Sequence, residues 1–140
     1  MPGGLYAGAF ACRPSHRPWR IFDYPEDAFP PTDFHSATLV GEWIYIIGNL
    51  GDPQTRETFG YETPVFRLHT GDWHIERVET RGESPGWIHS HQATLGNGCI
   101  RVFEGKRYHV TDEGEGIIDD FTGSYELDLA SACWRGACEM

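Results

Sequence analysis

An internal repeat constrains the fold of this chain more than any other sequence feature. The pentapeptide HSATL at residues 35–39 recurs as HQATL at residues 91–95, and IYII at residues 44–47 recurs as IRVF at residues 100–103, both 56 positions later. Further along the chain the spacing of matching residues grows to 59 and then 61 positions. Repetition with this period indicates tandem copies of one supersecondary unit, with insertions in the connecting loops.

Each copy has the sequence pattern of four short β-strands. In the first copy, β-branched and aromatic residues concentrate in four runs, at positions 35–40, 43–47, 64–69 and 73–78. Turns containing Gly, Asp and Thr separate these runs, as expected for strands joined by loops. Apolar residues do not recur at helical spacing for longer than two turns. We therefore predict an all-β fold with two four-stranded antiparallel units, residues 35–83 and 89–136.

A further strand is predicted ahead of the first copy. Trp19 precedes the first copy at nearly the spacing at which Trp73 precedes the second. Residues 19–23 therefore read as the last strand of an incomplete third copy. We expect an N-terminal segment at residues 1–18, followed by one repeat domain at residues 19–140.

Tryptophans are predicted to mark the last strand of each copy. Trp19, Trp73 and Trp134 occupy corresponding places in this scheme, so we expect their rings to fill the space between sheets. Residues 135–140 have little β character, and only a poor strand is expected there. Cys99 lies inside a predicted buried strand, which favours a small core residue over a nucleophile.

The ordered motifs of both copies resemble the kelch repeat. In that repeat a hydrophobic strand ends in a double glycine and is followed by a strand bearing Tyr and a strand bearing Trp. Here residues 44–48 (IYIIG) precede VFRL and Trp73, and residues 100–105 (IRVFEG) precede YELDL and Trp134. Each copy keeps one glycine of the pair, and Glu104 is unfavourable if its position needs a positive φ. The resemblance extends to a bacterial group of kelch-repeat proteins and implies propeller blades.

The number of copies is small for such an architecture, since a propeller has typically about 4–8 blades. Two blades leave two faces that normally pack against neighbours. The sequence is therefore compatible with a partial propeller, with a two-sheet sandwich, or with a ring closed by oligomerisation of two or three copies. In the ring, residues 19–23 would complete the last blade of a neighbouring subunit.

The kelch resemblance also indicates where a partner would bind. In kelch propellers, loops between the second and third strands commonly line a binding face; here those loops are residues 49–63 and 105–122, long enough to be functional. We expect a non-catalytic interaction module for a protein or peptide. Its candidate contacts are aromatic residues near turns and arginines able to hold a carboxylate, namely Tyr61, Arg67, Trp87, Arg107 and Tyr108.

An alternative function follows from the motif His89-Ser90-His91. Alternate residues of a strand point to one face, so the two imidazoles could share a divalent metal ion. The surrounding sequence resembles the first cupin motif, which implies a small metal-dependent enzyme or ligand binder. Because His35 corresponds to His91 in the first copy, a structural role for these histidines is the competing interpretation.

Composition and the absence of known motifs disfavour several classes of function. Eleven Lys and Arg against 21 Asp and Glu give a net charge of −10, which disfavours nucleic-acid partners. The acidic residues 112–120 are predicted to form a solvated loop, with a contact for a basic partner as the alternative. The chain has no nucleophile elbow, P-loop or dinucleotide fingerprint, which favours a non-catalytic protein without a cofactor.

Cysteine usage and the N-terminus bear on location. The four cysteines show no CxxC spacing, as expected for reduced thiols in a cytoplasm. The apolar run at residues 5–12 lacks a basic flank and is too short to cross a membrane. We therefore expect a cytoplasmic protein with no membrane partner.

Overall fold

Two antiparallel sheets, one for each sequence repeat, dominate the computed structural model of the protein, which describes residues 8–11 and 20–137. The elements in chain order are β1 (Gly8–Ala11), β2 (Arg20–Asp23), β3 (Ser36–Val40), β4 (Trp43–Ile47), α1 (Pro53–Thr58), β5 (Val65–His69), β6 (Ile75–Arg77), β7 (Arg81–Gly82), β8 (Trp87–His89), β9 (Gln92–Gly96), β10 (Cys99–Phe103), β11 (Lys106–Val110), β12 (Gly116–Asp120), β13 (Ser124–Asp128) and β14 (Cys133–Ala137).

The strand order of the two sheets is the same. In the first sheet β3, β4, β5 and β6 follow one another, and in the second β9, β10, β13 and β14 do so. The short strand β7 joins the second sheet at its outer edge, parallel to β14. The sheets do not close into a barrel. The prediction of an all-β fold with two four-stranded antiparallel units is confirmed.

Backbone conformation repeats together with the strands. Left-handed residues occupy corresponding turn positions in the two copies, namely Phe34 and Ser90, Gly41 and Asn97, and Gly48 and Glu104. The first double-glycine position therefore does require a positive φ, which is 88° at Gly48 and 58° at Glu104. A side chain with a Cβ is strained there, so the second copy carries a conformational cost that the first copy avoids.

The predicted equivalence of Trp73 and Trp134 is wrong. Trp134 lies in β14 opposite Leu127, and the residue that holds this place in the first sheet is Ile75, opposite Leu68. Trp73 instead corresponds to Ala132 in the turn before the last strand, and the two have φ angles of 63° and 55°. Cross-strand register, rather than residue type, sets the correspondence.

The two tryptophans consequently differ in environment. Trp134 is almost completely buried, as predicted. Trp73 is only partly buried, and its ring stacks on Phe22 of β2 at a centroid distance of 5.7 Å. Trp19 lies outside the described residues. The strand β2 that follows it pairs with β1 in a separate two-stranded sheet.

Residues 135–137 form a better strand than their composition predicts, and residues 138–140 lie outside the described residues. Strand β14 continues beyond Trp134 to position 137 and pairs along its whole length with β13. Arg135 donates to the carboxylate of Glu126 at 3.2 Å, and the backbone N–H of Gly136 donates to Glu83 at 3.2 Å. The expectation of a poor strand is wrong because these partners compensate for weak intrinsic preference.

One hydrophobic core joins the two sheets. Its buried members come from both sheets, from β8 and from the start of the segment after β12, and they are Tyr45, Ile47, Val65, Ile88, Ile100, Val102, Phe121, Leu127 and Trp134. Cys99 is buried in β10, as predicted for a core residue. The first strands of the sheets, β3 and β9, also contact each other. Among the described residues, no helix has the length and apolarity needed to cross a membrane.

Both sheets carry an insertion between their second and third strands. In the first, Asp52 caps helix α1 by accepting the Thr55 N–H at 2.8 Å, and Pro53 occupies the first turn. In the second, β11 and β12 form a hairpin that pairs with β8. The prediction of an acidic loop at residues 112–120 is therefore wrong in part, since residues 116–120 are a strand.

Candidate functional site

The two insertions meet through their aromatic side chains. Tyr61 follows α1, and its ring stacks on that of Tyr108 in β11, with centroids 6.2 Å apart and planes 12° apart. The guanidinium carbon of Arg56 lies 4.0 Å from the centroid of the Tyr108 ring, within cation–π distance. We define the two-loop surface as Arg56, Tyr61, Tyr108, Val110 and Ile118. Two of the predicted contact residues, from different repeats, are thus adjacent in space.

Trp87 supports this surface from below and does not form part of it. Its side chain is fully buried, and its indole N–H donates to the carbonyl of Leu50 at 2.9 Å. A Cβ added to Gly51 would lie 2.7 Å from the Trp87 ring, so the loop backbone packs closely against the indole. Arg56 donates to the carbonyls of Leu50 and Gly51 as well. Trp87, predicted as a contact residue, is therefore buried beneath the surface and fixes the loop, and its contact with a partner stays a prediction.

Asn49 explains why the first repeat departs from a double glycine. Its amide is buried, accepts from the backbone N–H groups of Asp33 and Gly51 at 3.1 Å each, and donates to the carbonyl of Pro31 at 3.1 Å. These bonds tie the start of the insertion to the segment before β3. At the corresponding Gly105, a Cβ would lie 2.6 Å from that of His91, so glycine is required there.

The hairpin presents an apolar face. Tyr108 pairs with Ile118 and Val110 with Gly116, and cross-strand partners point to the same face of a sheet. Val110 is 43% exposed and Ile118 is 50% exposed, while Tyr61 beside them is 37% exposed. The Tyr108 ring lies over Gly116, because a Cβ at this glycine would overlap the ring and its hydroxyl.

Acidic side chains occur along the hairpin that presents this apolar face, although Asp119 points to the opposite face of β12 from Ile118. They lie in the turn between β11 and β12 and in β12 itself, at Asp112, Glu113, Glu115, Asp119 and Asp120. Lys106 is paired with Asp120 at 2.5 Å, and His109 contacts Asp119 at 3.0 Å. Among the described strands β12 pairs only with β11, so its other edge is open.

The two predicted arginines hold internal partners. Arg107 donates from Nε to the carbonyl of Pro85 at 2.8 Å and lies on the opposite face of β11 from Tyr108. Arg67 donates to the Glu76 carboxylate at 3.2 Å. Its other contacts, Trp43 and Tyr45, are also in the first sheet, so Arg67 is not part of the two-loop surface.

The strand alternation expected for His89 and His91 is absent. Ser90 adopts a φ of 58° between them, so β8 ends at His89 and β9 begins after His91. His91 hydrogen-bonds the hydroxyl of Ser36 through Nε2 at 3.0 Å, and His89 contacts Ser90. The premise that both imidazoles share one strand face is therefore wrong.

Burial dominates the chemistry of these histidines. Desolvation lowers the pKa of His89, and it lowers that of His91 to about 4, with the neighbouring His35 and His89 adding to the effect. Both rings are consequently neutral near pH 7.

His89 and His91 do not belong to a group of three metal-ligating side chains among the described residues. In the part of the chain that the structure describes, one such group occurs, and it lies in the turn between β5 and β6.

Sequence reasoning missed Arg56, Val110 and Ile118. The signal for Val110 was present, because polar and apolar residues alternate over residues 107–110 (RYHV). Residues 116–120 (GIIDD) do not alternate, so no such pattern marked Ile118. Arg56 had no such signal, since its position over Tyr108 depends on how α1 packs.

Comparison with known proteins adds no assignment to this geometry. No protein-family model matches the chain, and no curated protein matches it significantly. The interpretation of the two-loop surface therefore depends on its own residues.

Proposed function

We propose that this chain is a non-catalytic interaction module of the kelch type, which binds a protein or peptide segment at the two-loop surface. The observation that carries the proposal is the stacking of Tyr61 on Tyr108, since it unites equivalent insertions of both repeats in one partly exposed aromatic surface. Tyrosine is enriched at binding hot spots because its ring buries a large area at little entropic cost.

The chemistry of the surface favours a basic, extended segment as its partner. The open edge of β12 offers backbone donors and acceptors, and an added strand would complete them. Ile118 and Val110 provide an apolar strip beside this edge. Asp120 and Asp119 already contact Lys106 and His109, whereas the carboxylates of Asp112, Glu113 and Glu115 lie in the turn at the end of this strand. Lysine or arginine side chains of the segment would find opposite charges at this turn.

The kelch assignment is supported by the strand order common to the two sheets and by their matching left-handed turns. Closure into a ring by two or three copies, and a cytoplasmic location, stay predictions from the sequence. The molecular mass in solution tests the first of them directly. A metal-dependent enzyme using His89 and His91 stays the alternative, and metal content of the purified protein tests it.

A peptide titration tests the binding proposal. The probe is a fluorescein-labelled heptapeptide of alternating lysine and valine, and the comparison is the same peptide with glutamate in place of lysine. Anisotropy should show saturable binding of the lysine peptide alone, and the binding should weaken as salt is raised, because screening reduces charge attraction.

Two matched variants locate the binding. Ile118→Ser removes the apolar contact and should weaken binding about tenfold, or about 1.4 kcal/mol, as for the minority of interface residues that cost more than about 1 kcal/mol. Leu39→Ser is the control, because Leu39 is similarly exposed but lies on β3, outside the two-loop surface. Equal binding of both peptides, failure of the lysine peptide to bind, or equal effects of the two substitutions would contradict the proposal.

A further inference from the structure

A cluster of metal-ligating side chains lies outside the two-loop surface, in the turn that joins β5 to β6. His69, Asp72 and His74 each offer one ligand atom, and these atoms lie within 4.8 Å of one another. We propose that these three residues bind one divalent transition-metal ion, with zinc, nickel or copper as the fitting class. This site is independent of the proposed peptide surface.

The hairpin brings the two imidazoles together. The backbone N–H of His69 donates to the carbonyl of His74 at 2.9 Å, and the N–H of Trp73 donates to the carbonyl of His69 at 2.8 Å. The left-handed conformation of Trp73, with a φ of 63°, completes the turn. As a result the rings of His69 and His74 stack, with centroids 5.3 Å apart and planes 12° apart.

The carboxylate of Asp72 faces Nδ1 of both imidazoles, His69 and His74. Its Oδ1 lies 2.5 Å from Nδ1 of His74 and 3.4 Å from Nδ1 of His69. Ligands of a tetrahedral ion with metal–nitrogen bonds of about 2.0–2.1 Å are roughly 3.3 Å apart. The His69 pair already has this spacing, and the His74 pair needs to open by about 1 Å. An ion would also replace the hydrogen bond from the Gly71 N–H to Nδ1 of His69.

The far side of each ring faces a second carboxylate. Nε2 of His69 is 3.8 Å from Oε1 of Glu42, and Nε2 of His74 is 3.4 Å from Oε1 of Glu76. Metal-bound histidines commonly donate their other N–H to a carboxylate, which fixes the tautomer and strengthens the ligand. Glu76 is within reach of His74 for that role, and Glu42 would need to approach His69 by several tenths of an ångström.

Trp43 holds both imidazoles against the sheet. Its ring makes edge contacts with His69 and His74, at centroid distances of 4.8 and 5.3 Å. His69 is also the cross-strand partner of Trp43 in the pairing of β4 with β5. Two of the ligands are therefore anchored to a rigid sheet, which lowers the cost of ordering them around an ion.

The fold itself does not require these residues. In the second sheet the positions that correspond to His69, Asp72 and His74 are Asp128, Ser131 and Cys133. The turn there also has a left-handed residue at the corresponding position, Ala132 in place of Trp73. The same hairpin is thus built without histidine. Donor type then selects the ion, because two imidazoles and one carboxylate suit zinc, nickel or copper better than magnesium or calcium.

Calorimetric titration of the untagged protein with zinc chloride tests the proposal, with cobalt chloride giving an independent absorption signal. We expect one equivalent of zinc to bind, and a tenfold excess of magnesium or calcium not to displace it. His74→Ala and Asp72→Asn should each weaken zinc binding at least tenfold. Both side chains are largely exposed, so the variants should fold, which circular dichroism verifies.

His109→Ala is the matched control, since His109 is a similarly exposed histidine beside a carboxylate but has a single imidazole at its site. It should bind zinc as the parent does. Absence of stoichiometric binding would overturn the proposal. Binding that survives His74→Ala and Asp72→Asn, or that is lost only on substitution of His89 or His91, would place the ion elsewhere and overturn it equally.

Discussion

Acidification should destabilise this protein through His91. The side chain is 8% exposed and is enclosed by backbone, since a Cβ at Gly48 would lie 2.5 Å from its Cε1 and a Cβ at Gly105 would lie 2.6 Å from its Cβ. Burial, with His35 and His89 nearby, lowers the pKa of His91 from 6.5 to about 4. The folded protein therefore resists taking up this proton.

The sign of the effect follows from proton linkage. Between about pH 6.5 and pH 4 the unfolded chain binds the proton at His91 and the folded protein does not, so the free energy of unfolding falls as the pH is lowered through this window. One pKa unit corresponds to about 1.4 kcal/mol, so the loss comes to somewhat more than about 3 kcal/mol below pH 4. That is a large part of the stability of a typical domain.

Urea unfolding measured from pH 7.5 down to pH 4 gives the test. His91→Gln keeps a polar group near Ser36 but does not titrate, so its stability should depend less steeply on pH than that of the parent, even if it is lower at pH 7.5. Leu39→Gln, at an exposed position without a titratable group, serves as the control and should show the same pH dependence as the parent. If His91→Gln loses as much stability as the parent across this window, burial of His91 is not the cause.

Three substitutions extend these expectations. Glu104→Gly should raise the free energy of unfolding by about 0.5–1 kcal/mol in urea titrations by relieving the φ of 58°, and no gain would contradict strain at this turn. Ile100→Ala should lower the free energy of unfolding by about 2–5 kcal/mol in the same assay. Leu39→Ala, at an exposed position, should lower it by less than about 0.5 kcal/mol, and similar losses for the two variants would contradict the assigned core. Gly116→Ala should displace the Tyr108 ring and weaken lysine-peptide binding with the thermal midpoint nearly unchanged; unaltered binding would exclude Tyr108 from the contact.

Strand content and repeat boundaries were predictable because they depend on local pattern. The β-branched and aromatic runs of β4 and β10, and the alternation of apolar and polar residues in β13 and in part of β5, are visible in the sequence alone. The spacing also placed Gly48 and Glu104 at one corresponding position, and the positive φ at both confirms that the turn conformation is repeated. These features involve neighbours in sequence or a fixed period.

Matching residue types was a weaker guide. Trp73 and Trp134 appeared equivalent because both are tryptophans near the last strand, but cross-strand register pairs Trp134 with Ile75. The hairpin at residues 106–120 was not predicted, because the sequence of β12 (GIIDD) does not alternate and carboxylates are concentrated in and beside its turn. In both cases the hydrogen-bonded pairing between strands determines which residues correspond and where the strands lie. Amino-acid composition does not reveal this pairing.

The sequence by itself determined the repeated all-β organisation of this protein and the acidic character of its second insertion. Only the tertiary structure decided that Tyr61 stacks on Tyr108, that Trp87 is buried beneath the first insertion, and that His69 and His74 stack across a hairpin. The physical reason is that local pattern fixes which residues extend as strands. The packing of distant segments then determines which side chains are exposed together, which charges are neighbours and which groups could bind one ligand. Burial of the whole core determines that packing.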